Sequence, residues 1–115
     1  MVEREATYRA IALAEFVDTP IHIFHTYCAE VAEEVARAQA RGVKVTAETC
    51  PQYLILSAAN MDRPGKEGAK YMCSPSPRDA ADHAGLWGMI RRSVLDVLSS
   101  DHCSYSFAGN KGKWS

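Results

Sequence analysis

Three short apolar runs in this 115-residue chain end in side chains that can do chemistry. Ile21-His22-Ile23-Phe24-His25 ends in an imidazole. Val43 to Glu48 continues into Thr49-Cys50, and Val94 to Leu98 continues into Ser99-Ser100-Asp101-His102-Cys103. Imidazole nitrogen and carboxylate oxygen both suit Zn²⁺. His25 and Asp101 make a metal-site pair if their strands are parallel and both lie at carboxyl ends, where parallel α/β folds gather their functional groups.

Plainer roles are open to the same residues. Taken alone, His25 reads as a partly buried histidine bonded to backbone, and Asp101 equally as a cap for whatever follows its strand. His22 and His25 fall on opposite faces of a regular strand, so HxxH is not a chelating pair here. Glu48 is expected to bond loop amides rather than a metal, and His83 and His102 to be surface residues or to stand behind the ligands. Ser74 has no general base beside it in the sequence, which leaves a nucleophilic serine unsupported.

Cys28, Cys50, Cys73 and Cys103 are spaced 22, 23 and 30 residues apart. The absence of CxxC argues against a zinc knuckle or a thioredoxin-like site. The opening MVEREATYRA has no signal-peptide apolar core. Free thiols in a cytoplasmic chain are therefore expected.

The elements that must position these groups alternate in type. Ala6, Ala10, Leu13, Ala14 and Val17, widened by Ile11 and Phe16, mark a helix from Glu3 to Val17. Asp18-Thr19-Pro20 ends it, because the residue before proline is pushed out of the helical region. A strand over 21–25 follows. The next helix spans Ala29 to Arg41, with acids early, bases late and Gly42 at the C-terminal cap. A second strand runs over 43–48.

Residues 57–78 form a long irregular connection, of a length often tied to function. Ser76-Pro77-Arg78-Asp79 reads as the start of another helix, with Ser76 as cap and Pro77 at its first position. A third strand covers 94–98, and the tail 109–115 has no periodicity. Strand, helix, strand with tight joints predicts parallel pairing through crossover helices. Three such strands do not close a core of their own, so the chain reads as a slice of a larger α/β protein.

Composition excludes several classes. The apolar fraction is 47% and the charged fraction 23%, ordinary for a globular chain of one domain at most. A net charge of -1 provides no bulk attraction to nucleic acid or to an anionic membrane. No apolar run approaches the roughly 18–20 residues of a membrane span.

Four segments, in this order, resemble the dihydropyrimidinase/hydantoinase family of cyclic amidases, within the amidohydrolase superfamily. They are Pro20-Ile21-His22-Ile23-Phe24-His25, Ala47-Glu48-Thr49-Cys50-Pro51-Gln52-Tyr53-Leu54, Lys70-Tyr71-Met72-Cys73-Ser74-Pro75 and Ser100-Asp101-His102-Cys103. The helix carrying Glu5-Ala6-Thr7 and Arg9 to Glu15 also fits, so the likeness runs from Glu3 to Phe107.

The resemblance implies a (β/α)₈ TIM barrel with two metal ions, usually zinc, at the strand carboxyl ends. Residues 1–115 would be a fragment covering about strands six to eight of that single barrel domain. His25 matches a ligand of one metal. Asp101 matches a ligand of the other and the catalytic proton carrier. Ser74 matches the serine whose backbone bonds the substrate ring. The implied reaction is hydrolysis of the ring amide of a dihydropyrimidine or hydantoin to an N-carbamoyl amino acid, by a hydroxide that the two metals generate. In such an enzyme the partner is a small cyclic amide, the setting cytoplasmic pyrimidine catabolism, and the assembly commonly a tetramer.

The family's HxH pair, carboxylated lysine, strand-five histidine and loop tyrosine would precede Met1, and a substrate-contacting asparagine would follow Ser115. A whole barrel takes about 250 residues, so the fragment alone is expected to be inactive. Two departures bear on substrate range: Pro75-Ser76-Pro77-Arg78 stands where relatives read Pro-Pro-Leu-Arg, and Ser104 where they carry proline. A metal-free scaffold of the same fold would have lost His25 and Asp101, and a free-standing α/β binding module would need a finished sheet. Both features favour the enzyme lineage.

Overall fold

The computed structural model describes residues 2–103; Ser104 and the aperiodic tail lie outside them. Helix α1 spans Val2–Phe16, and the chain turns at Asp18, whose φ of 48° breaks the helix before Pro20. Of the stripe read from the sequence, only Ile11 and Ala14 are buried. Strand β1 is Ile21–Ile23, two residues shorter than expected, because His25 leaves the extended region at φ 42°. Helix α2 spans Ala29–Ala40. Its end is the glycine turn foreseen: Gly42 sits at φ 85°, and the amides of Gly42 and Val43 bond back to Gln39 and Ala38.

Strand β2 is Val45–Thr49. A short helix follows that the sequence did not announce, α3 at Pro51–Ile55, opened by the proline. The connection beyond it holds two single turns of 3₁₀ helix, Ala58–Asn60 and Gly68–Tyr71.

The expected helix start at Ser76-Pro77 is not formed. Helix α4 begins four residues later and spans Ala81–Arg91. Residues 76–79 are held by tertiary partners instead: the Arg78 carbonyl accepts from Ala58, and its guanidinium reaches Tyr27 and Glu3.

Strand β3 shrinks to Val97–Leu98. Val94 and Leu95 go into the core instead, and Asp96 joins β2 partly through its side chain. Its amide donates to the Ala47 carbonyl while its carboxylate accepts the Ala47 amide, at 2.9 and 3.3 Å.

The three strands are parallel in the order β1-β2-β3, as the alternation of elements predicted. Ile21, His22 and Ile23 lie opposite Val45, Thr46 and Ala47. One face of the sheet is covered by helices. There Val45, Ala47, Ile21 and Ile23 join Val35, Ala38, Leu86 and Leu95 in the core. The other face carries His22 and the exposed Thr46. Among the described residues no helix is long and apolar enough to cross a membrane.

Candidate active site

The carboxyl ends of β1 and β3 flank that of β2, and each releases its chain into a left-handed turn. His25 has φ 42° and Asp101 φ 46°. Left-handed backbone costs a non-glycine residue roughly 1–2 kcal/mol, although Asp and His are among those that tolerate it best. The turns bring the imidazole Nε2 of His25 within 3.9 Å of Asp101 Oδ2. The two side chains remain 36% and 40% exposed, open on the side away from the core. The pair sits at one end of the sheet, the arrangement a shared site at parallel strand ends requires.

Backbone bonds to β2 carry both turns. The amide of Thr26 donates to the Glu48 carbonyl at 2.8 Å, and that of Ser99 to the Thr49 carbonyl at 3.0 Å. The buried Thr49 hydroxyl donates to the Thr26 carbonyl at 2.6 Å.

Glu48, buried between the turns, bonds a loop amide as its sequence context suggested: the amide of His25 itself donates to Oε1, at 3.4 Å. Its other oxygen lies 3.6 Å from His22 Nε2. Burial alone would raise the Glu48 carboxyl. Hydrogen bonds from Ser99, the His25 amide and His22 outweigh that and hold it below the usual carboxylate range. His22 therefore belongs to Glu48 and to Thr46, whose hydroxyl lies 2.7 Å from its Nδ1. It does not form a chelating pair with His25.

Ser74 lies across a cleft of about 520 Å³ from this end of the sheet. The cleft is lined by Ser74, Asp101 and His102, with Gln52, Met72 and Cys103. Its volume falls within the roughly 300–1,000 Å³ usual for small-molecule sites. The exposed Ser74 sits on an anchored loop, because the Pro75 carbonyl accepts from the Tyr53 hydroxyl at 3.0 Å and from the Cys73 thiol at 3.2 Å. Burial raises Tyr53 well above an ordinary phenol, so it stays a donor. Burial likewise raises Cys50 and Cys73, which remain thiols, and all four cysteines are free. His83 is tied to the Leu56 carbonyl at 2.9 Å, away from the pair.

As metal donors, His25 and Asp101 offer one imidazole nitrogen and one carboxylate oxygen, the donor types zinc takes. Among the described residues no group of three or more such side chains converges. The pair fits part of a zinc donor set, and a complete site would need further ligands. The left-handed turns beneath both residues had no signal in the sequence, since neither position is a glycine. The anchor role of Tyr53 was also missed.

Parallel strands under one helical layer, with a histidine–aspartate pair at their carboxyl ends, are the architecture of a section of a parallel (β/α) barrel. No protein-family model matches the chain. It is 52% identical over 112 residues to a D-hydantoinase of Rhizobium radiobacter and 51% identical to one of Ralstonia pickettii. Each match covers 97% of this chain and 24% of the relative. A crystal structure of dihydropyrimidinase from Brevibacillus agri NCHU1002 superposes with a TM-score of 0.93 at 39% identity, over 96% of this chain and 24% of that one. The chain is thus a hydantoinase/dihydropyrimidinase homologue, and it spans about a quarter of the length of the relatives it matches.

Proposed function

We propose that this chain forms the strand-six-to-eight sector of a cyclic amidase, which opens the ring amide of a hydantoin or dihydropyrimidine to give an N-carbamoyl amino acid. The observation that carries this reading is the 3.9 Å approach of His25 and Asp101 at the strand carboxyl ends, in a sequence half identical to D-hydantoinases. His25 would hold one zinc ion and Asp101 a second, each completed by ligands from the rest of the barrel. When bound, such a pair supplies Lewis acidity and a water acidified toward neutral pH.

The residues of this chain then have distinct tasks. Asp101, half exposed on the cleft, accepts the proton of the attacking water and returns it to the departing ring nitrogen. Amide nitrogen is a poor leaving group, so this delivery is required in addition to a nucleophile. The loop fastened by Tyr53 presents the Ser74 backbone to the polar edge of the ring across the cleft.

The test is Asp101→Asn in a complete barrel carrying this segment. It keeps side-chain volume while removing the proton acceptor and a metal-binding charge. Turnover on hydantoin or dihydrouracil should fall by about 10²–10⁴-fold, with zinc measured in parallel by elemental analysis. Near-normal turnover would overturn the assignment.

A further inference from the structure

Glu48 does not touch the cleft, yet it lies between the two turns that matter. It is on the central strand, 7% exposed, and its carboxylate draws donors from both flanks. On the β1 side these are the backbone amide of His25, at 3.4 Å, and His22 Nε2, at 3.6 Å. On the β3 side the Ser99 hydroxyl, two residues before Asp101, stabilises the charged carboxylate while lying 3.4 Å from the Cys50 sulfur. Both candidate ligands stand on left-handed backbone, φ 42° and 46°, which persists only when surrounding contacts hold it. A buried carboxylate that accepts the His25 amide, with the His22 imidazole 3.6 Å from its other oxygen and Ser99 on its β3 side, is such a contact.

We propose that Glu48 is a positioning residue that clamps the His25 and Ser99–Asp101 turns to the central strand, and that it thereby sets the separation of the two ligands and the zinc affinity of the paired site. The inference rests on the proposed reading of His25 and Asp101 as metal ligands. Glutamine offers one acceptor oxygen where the carboxylate offers two, and it carries no charge, so it can accept from the His25 flank or from the opposite flank but not from both. A buried donor left without an acceptor pushes its turn away. Residues that orient metal ligands without binding the metal typically change affinity by about 10–100-fold when altered.

The experiment compares Glu48→Gln, Ser99→Ala and His25→Ala in a complete barrel carrying this segment. It measures zinc dissociation by competition with a chromophoric chelator, together with thermal midpoint and kcat on hydantoin. Glu48→Gln should weaken zinc binding by roughly 10–100-fold, and its kcat should recover when zinc is added in excess. Ser99→Ala removes one donor without touching the carboxylate and should shift affinity in the same direction by less; it decides the matter if Glu48→Gln fails to fold. A merely structural residue would lower the thermal midpoint and leave zinc affinity alone. Zinc affinity within about twofold of the parent in every folded clamp variant, against loss in His25→Ala, overturns the clamp and leaves the site reading intact. Parental zinc affinity in His25→Ala overturns the site reading, and the clamp with it.

Discussion

At the residue scale, the candidate site depends on short polar bonds beneath it that local sequence does not advertise. Thr49 is fully buried, and its hydroxyl meets the Thr26 carbonyl at 2.6 Å, one residue after His25. Thr49→Val keeps the shape and the β-branch but strands that carbonyl in the core. A buried acceptor without a donor costs about 1–3 kcal/mol. Thr49→Val in the complete barrel should therefore lower the urea midpoint by that equivalent with an unchanged slope. An unchanged midpoint would mean that water or relaxation satisfies the carbonyl.

At the element scale, α2 is the keystone, packed against α1, α4 and β2. Its N-terminus has no cap of its own, because Cys28 stands at the cap position without a side-chain bond. The missing acceptor comes from another helix: Asp82 Oδ1, in the first turn of α4, accepts the Ala29 amide at 2.9 Å. The same contact places a negative charge at the positive end of α2. The helices meet closely there, since a Cβ on Gly85 would lie 2.7 Å from that of Ala29. Asp82→Ala should destabilise the fold by about 0.5–2 kcal/mol, as loss of an N-cap does, while Asp82→Asn, which keeps the oxygen, should cost less. Thermal denaturation of the two variants side by side checks this; equal losses would mean that the bond does not cap α2.

At the scale of the whole molecule, the sheet is open on one face and at both edges among the described residues. Phe16 is 87% exposed on α1, and both residues of β3 are exposed, Leu98 by 60%. Beyond β1 and β3 no further strand continues the sheet among the described residues. Exposed apolar edge strands invite pairing with other chains. The 115-residue chain expressed by itself should self-associate in light scattering and unfold without a cooperative transition. It should also leave hydantoin intact, because a zinc ion normally takes three or four protein ligands and this chain brings one imidazole and one carboxylate to the pair. Turnover by the purified, zinc-supplemented chain above the buffer rate, unaffected by His25→Ala, would overturn both the partial-site reading and the assigned ligand.

What the sequence by itself determined is whatever acts within a turn or two of chain. The helical spacing of α2 and the glycine after it, the proline that ends α1, and the alternation that makes the strands parallel were all legible. So was the likeness to hydantoinases, from ETCPQYL and SDHC in order. The tertiary structure decided the rest, because those outcomes depend on partners far apart in sequence. Ser76-Pro77 looked like a helix start, but Arg78 is drawn to Glu3, 75 residues away, and the helix begins later. β3 lost its first residues because Val94 and Leu95 pack into the core and the Asp96 carboxylate takes the place of a backbone rung. α1 buries little of its apolar stripe because nothing among the described residues covers it. The meeting of His25 and Asp101 belongs to the same class. Their residue types were visible in the chain, but their 3.9 Å approach needs two left-handed turns held against a central strand, and only long-range contacts to β2 stabilise those turns.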